Sequence, residues 1–292
     1  MWILCVVLAS TLQVARNALQ RSVMGSSGPW GATLVRFLFG LPFSWLFVVL
    51  AVGLMRDVHP SWNTSFWFAA LIGAAAQVLA TACLLLAMKR SGFAIGTALQ
   101  QSSLPLAAII GTFVFHDFLS QRAWSGVVIT TCGLAVLSFQ SQRSEAPRSF
   151  SGGCFGLLSG LFFGLSLNAF RHASLSLEPA HPIFGALASV AVVQTIQTLA
   201  LTLVLGICDR QALIAVIIQW RQSLAAGCCG SCASAAWFLA LAMTPAASVR
   251  AVGIIEAPIA AIAGRRFFKE ELTIQQLLAG AAVIGGVLLT VV

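Results

Sequence analysis

Long apolar runs, separated by short polar breaks, follow one another along nearly the whole chain. A helix needs about 20 apolar residues to cross the hydrocarbon core of a bilayer, and the runs are of that order. The pattern predicts five membrane-spanning helices, a polar linker over 140–151, and five more helices. The ten predicted helices cover 2–19, 29–54, 62–88, 92–115, 122–139, 152–172, 182–207, 217–243, 246–268 and 272–292.

One stretch of sequence occurs twice, once in each group of five helices. In both copies an apolar helix contains a proline, continues to a glycine and ends at an acidic residue that begins a polar turn. The segments Asn17-Ala18-Leu19 and Asn168-Ala169-Phe170 repeat at nearly the same offset. The chain is therefore predicted to be a tandem duplication with repeats 1–140 and 152–292. The matched pairs, all at one constant offset, are Pro105 with Pro258, Gly111 with Gly264, and Asp117 with Glu270.

An odd number of helices in each repeat makes the second repeat enter the membrane with the opposite orientation. We therefore predict an all-α membrane protein with ten transmembrane helices, arranged as two inverted five-helix repeats around a central cavity. Substrate sites in such proteins lie near the membrane midplane, between the repeats.

Composition indicates the same class of protein. Hydrophobic residues make up 59% of the 292 residues and charged residues 8%, whereas soluble domains contain about 25% charged residues. Because so little polar surface is available, the lipid bilayer is the predicted environment. The net charge of +8 comes from basic residues dispersed over many short loops. A nucleic-acid-binding protein concentrates such charge in one stripe, so we expect no nucleic-acid partner.

The basic residues lie mostly on the side of the membrane that is reached after the first helix. Loops rich in lysine and arginine stay in the cytoplasm, so this bias predicts that both termini lie outside the cytoplasm. The basic residues on the first side are Arg16, Arg21, Lys89, Arg90, Arg143, Arg148, Arg210, Arg221, Arg265, Arg266 and Lys269, and those on the other side are Arg56, Arg122 and Arg171.

Polar side chains at membrane depth are costly, and several predicted helices contain them. Glu256 is the one acidic residue deep within a predicted helix, roughly 15 Å from either face. We expect Glu256 to couple transport to an ion, with the proton as the candidate, in preference to a structural ion pair. The candidate substrate-binding residues are Arg16, Asn17, Arg36, Gln77, Thr81, Gln100, Gln101, Asn168, Gln194, Gln197, Trp237 and Arg250.

Structural roles for these residues remain open at this stage. Glutamine and threonine side chains also join neighbouring membrane helices, at about 0.6 kcal/mol for each hydrogen bond. Arg16 and Arg250 lie close enough to predicted helix ends to extend to the membrane surface, and this interpretation is favoured for both. Arg36 lies one to two turns inside its helix and is harder to explain in that way.

Two prolines are predicted to break their helices near mid-membrane. Proline has no amide proton to donate to the carbonyl four residues back. Pro105 is therefore predicted to free the carbonyl of Gln101, and Pro258 that of Ile254. Freed carbonyls at this depth are tolerated where they line a cavity or find new partners.

Small residues explain the remaining motifs. The run from Cys228 to Cys232 has the spacing of a redox or metal site, but glycine, serine and alanine surround it, and close helix packing is favoured. The same interpretation applies to Gly156, Gly160 and Gly164, which repeat every fourth residue. The sequence contains no phosphate-binding loop, nucleophile elbow or metal-binding histidine pair. We therefore expect no cofactor, no metal and no enzymatic activity.

These features together resemble the EamA-type transporters of the drug/metabolite transporter superfamily. The resemblance spans nearly the whole chain and implies a cavity lined by helices one to four and six to nine. It also implies secondary transport or export of small organic solutes, amino acids among them. The chain departs at Val14-Ala15-Arg16-Asn17, where many relatives carry Trp-Gly, and many relatives keep both termini in the cytoplasm. The resemblance rests on Pro105, Asp117-Phe118-Leu119-Ser120, Pro258 and Glu270-Glu271-Leu272-Thr273.

The expected function is transport of a small organic metabolite, such as an amino acid or an amphipathic acid, by alternating access through the central cavity. Export is the expected direction. The predicted location is the bacterial inner membrane, as a multi-pass monomer or homodimer. A membrane-embedded enzyme or a sensor without transport activity is the alternative, and no loop is long enough to form a soluble sensor domain.

Overall fold

The computed structural model describes residues 1–55, 58–121, 124–125, 127–129, 131–132 and 150–268. Throughout these residues the regular structure is helical, with no strand. Most of the fifth predicted helix, nearly all of the predicted linker, and the tenth predicted helix with Glu270 lie outside the described residues.

Most of the described helices begin and end within a few residues of the predicted bounds. The clearest differences are breaks inside predicted spans. The helices are α1 (Trp2–Leu38), α2 (Leu41–Leu54), α3 (Thr64–Ser91), α4 (Phe93–Gln100), α5 (Ser103–Phe113), α6 (Phe150–Leu177), α7 (Pro182–Cys208), α8 (Arg210–Ile218), α9 (Trp220–Met243), α10 (Ala246–Gly253) and α11 (Glu256–Phe268).

Five helical stretches in the described residues are long and apolar enough to cross a membrane, and α10 with α11 forms a sixth if counted as one bent span. The outer surface of these helices is apolar, and several leucine and valine side chains on α2 and α7 are at least 50% exposed. The interior contains arginine, glutamine and serine side chains beside its apolar core. Large exposed apolar surfaces and buried arginines are both unusual in soluble proteins. The described residues therefore form an all-α, multi-pass membrane protein. The exposed apolar residues on these two helices include Leu46, Val49, Leu50, Leu199 and Leu203.

The first helical stretch is a hairpin. A straight helix from Trp2 to Leu54 would be about 80 Å long, more than twice the hydrocarbon thickness. Gly28 interrupts it with φ +66°, a conformation that glycine adopts without steric cost. The side-chain amide of Gln20 donates to the carbonyl of Ala32 at 2.7 Å, although a straight helix would separate these residues by about 18 Å. The first arm therefore continues past the predicted end at residue 19 and turns back at Gly28.

Two helices are broken at corresponding points. The first break separates α4 from α5, between Gln100 and Ser103, and the second separates α10 from α11, between Gly253 and Glu256. The same sequence offset that relates the two prolines relates these two breaks. The second broken helix bends by 42°. Because α4 packs on α11 and α5 packs on α10, the two broken helices run antiparallel.

The prediction of a free carbonyl at Gln101 is wrong. This carbonyl accepts a hydrogen bond from the amide of Leu104 at 3.0 Å. The bond spans three residues, as in a 3₁₀ turn, so the backbone tightens where Pro105 cannot donate. The side chain of Gln101, and not its carbonyl, remains available to other helices.

Small residues allow close helix contacts. A Cβ on Gly160 or on Gly164 of α6 would lie 3.0 Å from the amide nitrogen of Ser103 or of Ala107, so α6 lies directly against the backbone of α5. On α9, a Cβ on Gly227 would lie 2.6 Å from the backbone nitrogen of Gly40. These contacts fit the packing role expected of the small residues.

Gly227→Ala is expected to lower the free energy of unfolding by about 1–3 kcal/mol, because the added methyl group meets backbone that must move. Thermal unfolding in detergent measures the effect. Gly25→Ala is the matched control, since a Cβ there has no neighbour within 4 Å. An unchanged unfolding midpoint for Gly227→Ala would contradict the close approach of α9 to the break between α1 and α2.

Candidate functional site

A buried polar network surrounds Glu256, the first residue of α11. The Glu256 side chain is completely buried. Its Oε2 accepts a hydrogen bond from Gln13 Nε2 at 2.8 Å and pairs with Arg250 Nη1 at 3.2 Å. Asn17 Nδ2 lies 3.5 Å from Oε1. A cation and two amide donors thus compensate the loss of water around the carboxylate.

Arg250 joins the two broken helices to each other. It lies on α10. Besides its ion pair with Glu256, it donates hydrogen bonds to side chains at the break between α4 and α5. Its Nε donates to Ser103 Oγ at 2.7 Å, and its Nη2 donates to Gln101 Oε1 at 2.8 Å. The guanidinium group therefore binds side chains at both breaks, where the two helices are interrupted.

Trp237 of α9 closes this network from another side. Its indole Nε1 donates to Gln13 Oε1 at 2.9 Å, and its ring lies under the Arg250 guanidinium carbon, 5.6 Å from the ring centroid. This distance is within the range of a cation–π interaction. Trp237, Gln13, Glu256 and Arg250 thus form a closed ring of contacts among α1, α9, α10 and α11.

Two more arginines lie buried beside the network, with neutral partners. Arg36 donates to Thr81 Oγ1 and to Ser234 Oγ, each at 3.2 Å. Arg16 donates to Asn17 Oδ1 from Nε at 3.2 Å and from Nη2 at 2.6 Å. Among the described residues, Arg16 Nη1 and Arg36 Nε have no hydrogen-bond partner. An arginine side chain keeps its charge in proteins, so both positive charges are buried without a bonded counter-charge.

The expected extension of Arg16 and Arg250 to the membrane surface is wrong. Their side chains are 0% and 2% exposed. The burial of Arg16 follows from the hairpin at Gly28. The first helix continues well beyond Arg16, so Arg16 is not near a helix end. Arg16 is therefore no longer one of the basic loop residues that indicate orientation.

Gly230 provides the space for the two arginine side chains. A Cβ at this position would lie 3.2 Å from Arg16 Cδ and 3.2 Å from Arg36 Cγ. Gly230 belongs to the run from Cys228 to Cys232, whose cysteines are free. The described residues contain no group of three histidine, cysteine, aspartate or glutamate side chains that could hold a metal ion.

A cavity of about 20 Å³ lies beside the network. That volume holds about one water molecule, whereas small-molecule sites usually measure about 300–1,000 Å³. A solute would therefore enter only if the surrounding helices moved apart. The polar and aromatic residues lining the cavity include Gln13, Arg36, Gln77, Gln100, Trp237 and Arg250.

Several predicted site residues instead connect helices outside the network. Gln197 of α7 donates to Gln77 Oε1 of α3 at 2.9 Å. Gln194 accepts from Ser231 of α9 at 3.1 Å and from Ser44 of α2. Such interhelical bonds are the structural role that the sequence left open.

Asn168 and Gln100 occupy different surroundings. Asn168 of α6 donates to the carbonyl of Ala107 at 3.0 Å and to that of Gly164 at 2.9 Å, so it joins α6 to α5. Gln100 is buried, and its Oε1 has no partner among the described residues. Of these two residues, only Gln100 faces the cavity.

The sequence interpretation missed Gln13 and Ser234 and gave Ser103 no role in the site. Gln13 precedes Asn17 by four residues, so the two share one face of a helix. This spacing was a usable signal for Gln13. Ser103 and Glu256 are separated by the same sequence offset as Pro105 and Pro258. Ser234 gives no signal, because serine is common in small-residue packing faces.

A second ion pair closes one end of the helical body. Arg171 of α6 pairs with Asp117 of the turn after α5, at 3.3 Å from Nε to Oδ1. Its Nη1 also donates to the carbonyl of Thr244 at 2.9 Å and to that of Leu241. We call this group the Arg171 clamp. It connects α6, the α5 turn and the end of α9.

The fold as a whole occurs in a known structure. A solved crystal structure, described only as that of a protein, has a TM-score of 0.62 to this chain, with 16% sequence identity. The similarity covers 99% of this chain and 98% of the other. At this identity it shows a shared fold and carries no function with it. No protein-family model matches the chain, and no curated protein matches it.

Proposed function

We propose that this protein is a secondary transporter for a small organic metabolite, such as an amino acid or an amphipathic acid. In this proposal the solute crosses by alternating access between two five-helix repeats, in the export direction. The observation that carries the proposal is the buried charge network at the junction of the two broken helices. Broken helices whose interrupted ends meet at membrane depth are a feature of transporter binding sites.

The packing supports a duplication with inverted repeats. The two most extensive helix contacts are those of α1 with α9 and of α3 with α6. A two-fold axis in the membrane plane exchanges these pairs, because it relates α1 to α6 and α3 to α9. The same axis relates the two antiparallel broken helices. Ten spans, with the fifth and tenth completing the repeats, follow from this proposal.

The site also supports recognition of an acidic solute. Buried arginines outnumber Glu256, and Trp237 provides aromatic surface beside the cavity. A molecule with an apolar body and a carboxylate fits this combination. Of the predicted residues, we assign to the site those in the network and cavity lining. They are Arg16, Asn17, Arg36, Gln77, Thr81, Gln100, Gln101, Trp237, Arg250 and, for proton coupling, Glu256.

Alternating access requires both ends of the cavity to open in turn. The Arg171 clamp ties α6, the turn after α5 and the end of α9 together, so opening on that side separates Arg171 from Asp117. The network around Arg250 holds the broken helices together at the centre. Protonation of Glu256 would weaken its ion pair with Arg250 and so favour rearrangement of the two breaks.

We propose that the protein belongs to the EamA-type group, and the coincidence of the broken helices with the proline motifs that carry that resemblance supports this proposal. A membrane-embedded enzyme would need a nucleophile with a base, or a metal cluster, at one depth. The described residues contain no group of three histidine, cysteine, aspartate or glutamate side chains that could hold a metal ion, and the hydroxyl of Ser103 in the network accepts a hydrogen bond from Arg250. A transporter therefore explains the buried charges better than an enzyme does.

A solute-uptake screen in proteoliposomes with an imposed proton gradient tests the proposed function. We expect accumulation of at least one small organic acid, and we expect it to depend on Glu256 and Arg250. Competition by carboxylates should exceed competition by permanent cations. A preference for permanent cations, with no competition by carboxylates, would overturn the substrate class. If the protein folds and inserts into the membrane but transports none of the organic solutes, the proposed function would be overturned.

Orientation is a separate prediction. The basic loops favour termini outside the cytoplasm, and removing buried Arg16 from the count leaves the bias in place. A C-terminal alkaline phosphatase fusion, active only outside the cytoplasm, is expected to be active. A C-terminal green fluorescent protein fusion exported in unfolded form should remain dark. The reverse pattern would show that the family orientation applies.

A further inference from the structure

We propose that the solute bound at this site carries two negative charges, which balance the buried positive charges of Arg16 and Arg36. This inference rests on the proposed function and narrows its substrate class from acids in general to dianions. A dicarboxylate and a phosphate monoester share the required chemistry.

Charge balance is the first argument. Among the described residues, the network and the arginines beside it contain three buried arginines, Arg16, Arg36 and Arg250, and one buried carboxylate, that of Glu256. Glu256 pairs directly with Arg250 at 3.2 Å. The other two arginines have only neutral partners, so two positive charges remain uncompensated. Buried charges are normally paired, and a ligand with two negative charges supplies the missing pair.

The two free donors are the second argument. Arg16 Nη1 and Arg36 Nε are buried N–H groups without partners among the described residues. The side chains of these two arginines lie side by side over Gly230. A Cβ on that glycine would lie 3.2 Å from Arg16 Cδ and 3.2 Å from Arg36 Cγ. Two neighbouring guanidinium groups repel each other unless an anion lies between them. Carboxylate and phosphate oxygens suit such donors, since guanidinium groups bind them in bidentate fashion.

The cavity places the rest of the ligand. Arg36, Trp237 and Arg250 all line it. In a dicarboxylate, the second carboxylate therefore lies within reach of Arg250, where it would compete with Glu256 for the guanidinium. Protonated Glu256 cannot hold Arg250 as an ion pair, so proton binding and ligand binding favour each other.

Ligands of similar backbone length test the inference on the full-length protein in detergent at pH 7. Succinate carries two negative charges, butyrate carries one, and 4-aminobutyrate carries no net charge. Isothermal titration measures each affinity. We expect succinate to bind at least about tenfold more tightly than butyrate, a difference equal to one charge-assisted hydrogen bond. Glycerol 3-phosphate carries two negative charges in one phosphate group. If it binds more tightly than succinate, the substrate type is a phosphate ester.

Arg36→Gln should remove the preference, so that succinate and butyrate bind alike. Arg210→Gln, the same change at an exposed residue on the protein surface, should leave the preference intact. If Arg36→Gln does not fold, the relative affinities of the ligands for the unmodified protein still test the inference. Butyrate or 4-aminobutyrate binding as tightly as both dianions would overturn the inference. If butyrate or 4-aminobutyrate is transported in proteoliposomes, the proposed transport function is upheld although the dianion inference has failed. The failure of the inference is therefore distinct from a failure of the proposed function.

Discussion

Glu256→Gln is expected to abolish accumulation of solute driven by a proton gradient, while exchange of solute for solute continues. Glutamine keeps the size and hydrogen-bonding capacity of glutamate but cannot bind or release a proton. Gln13 and Arg250 can still donate to the remaining carbonyl oxygen, so these hydrogen bonds persist although Arg250 loses its counter-charge. Uptake of labelled solute into proteoliposomes, with and without a pH gradient, measures the loss.

Glu178→Gln is the matched control for this prediction. Glu178 is also a buried glutamate, 5% exposed, but it accepts a hydrogen bond from the amide of His59 near the ends of the helices. The same chemical change there leaves the central network untouched and should not alter gradient-driven uptake. Normal accumulation by Glu256→Gln would mean that Glu256 has a structural role and that another group couples transport to protons.

Arg250→Met is expected to lower the free energy of unfolding by roughly 3–5 kcal/mol and to abolish transport. The substitution removes the ion pair with Glu256 and the bonds to Ser103 and Gln101. A buried carboxylate that loses its cation is strongly destabilising. Thermal unfolding in detergent and uptake into proteoliposomes report the two effects separately.

The double variant Arg250→Met with Glu256→Met separates stability from function. Replacing both members of a buried ion pair by apolar groups is often neutral or stabilising. The unfolding midpoint of the double variant should therefore recover most of the loss, while transport remains absent. A midpoint as low as that of Arg250→Met alone would show that the bonds to Ser103 and Gln101, and not the ion pair, dominate the stability of the junction.

Some features of the site followed from local sequence. The matched prolines predicted breaks in two helices, and the structure interrupts both helices at corresponding positions. The depth of Glu256 in an apolar run singled it out before any contact was known. These inferences hold because proline geometry and the cost of a charge in lipid act on the residue itself, whatever its distant neighbours are.

Other features depended on where the chain turns. Arg16 lies near the end of its apolar run, and hydropathy alone placed it close to the membrane surface. The helix continues through polar residues to Gly28, and only the three-dimensional structure shows the hydrogen bond from Gln20 to Ala32 across the hairpin. Polar residues can extend a helix when neighbouring helices cover them, so an apolar run marks the lipid-facing part and not the helix end.

The sequence by itself determined that this protein is helical and lies in a membrane, because lipid offers no partner for backbone groups and a helix satisfies them within one segment. Only the tertiary structure decided which polar groups meet. Gln13 and Glu256 are 243 positions apart in the chain yet lie 2.8 Å apart. Their contact depends on the packing of α1 against α11, which involves small residues and crossing angles that no local pattern specifies.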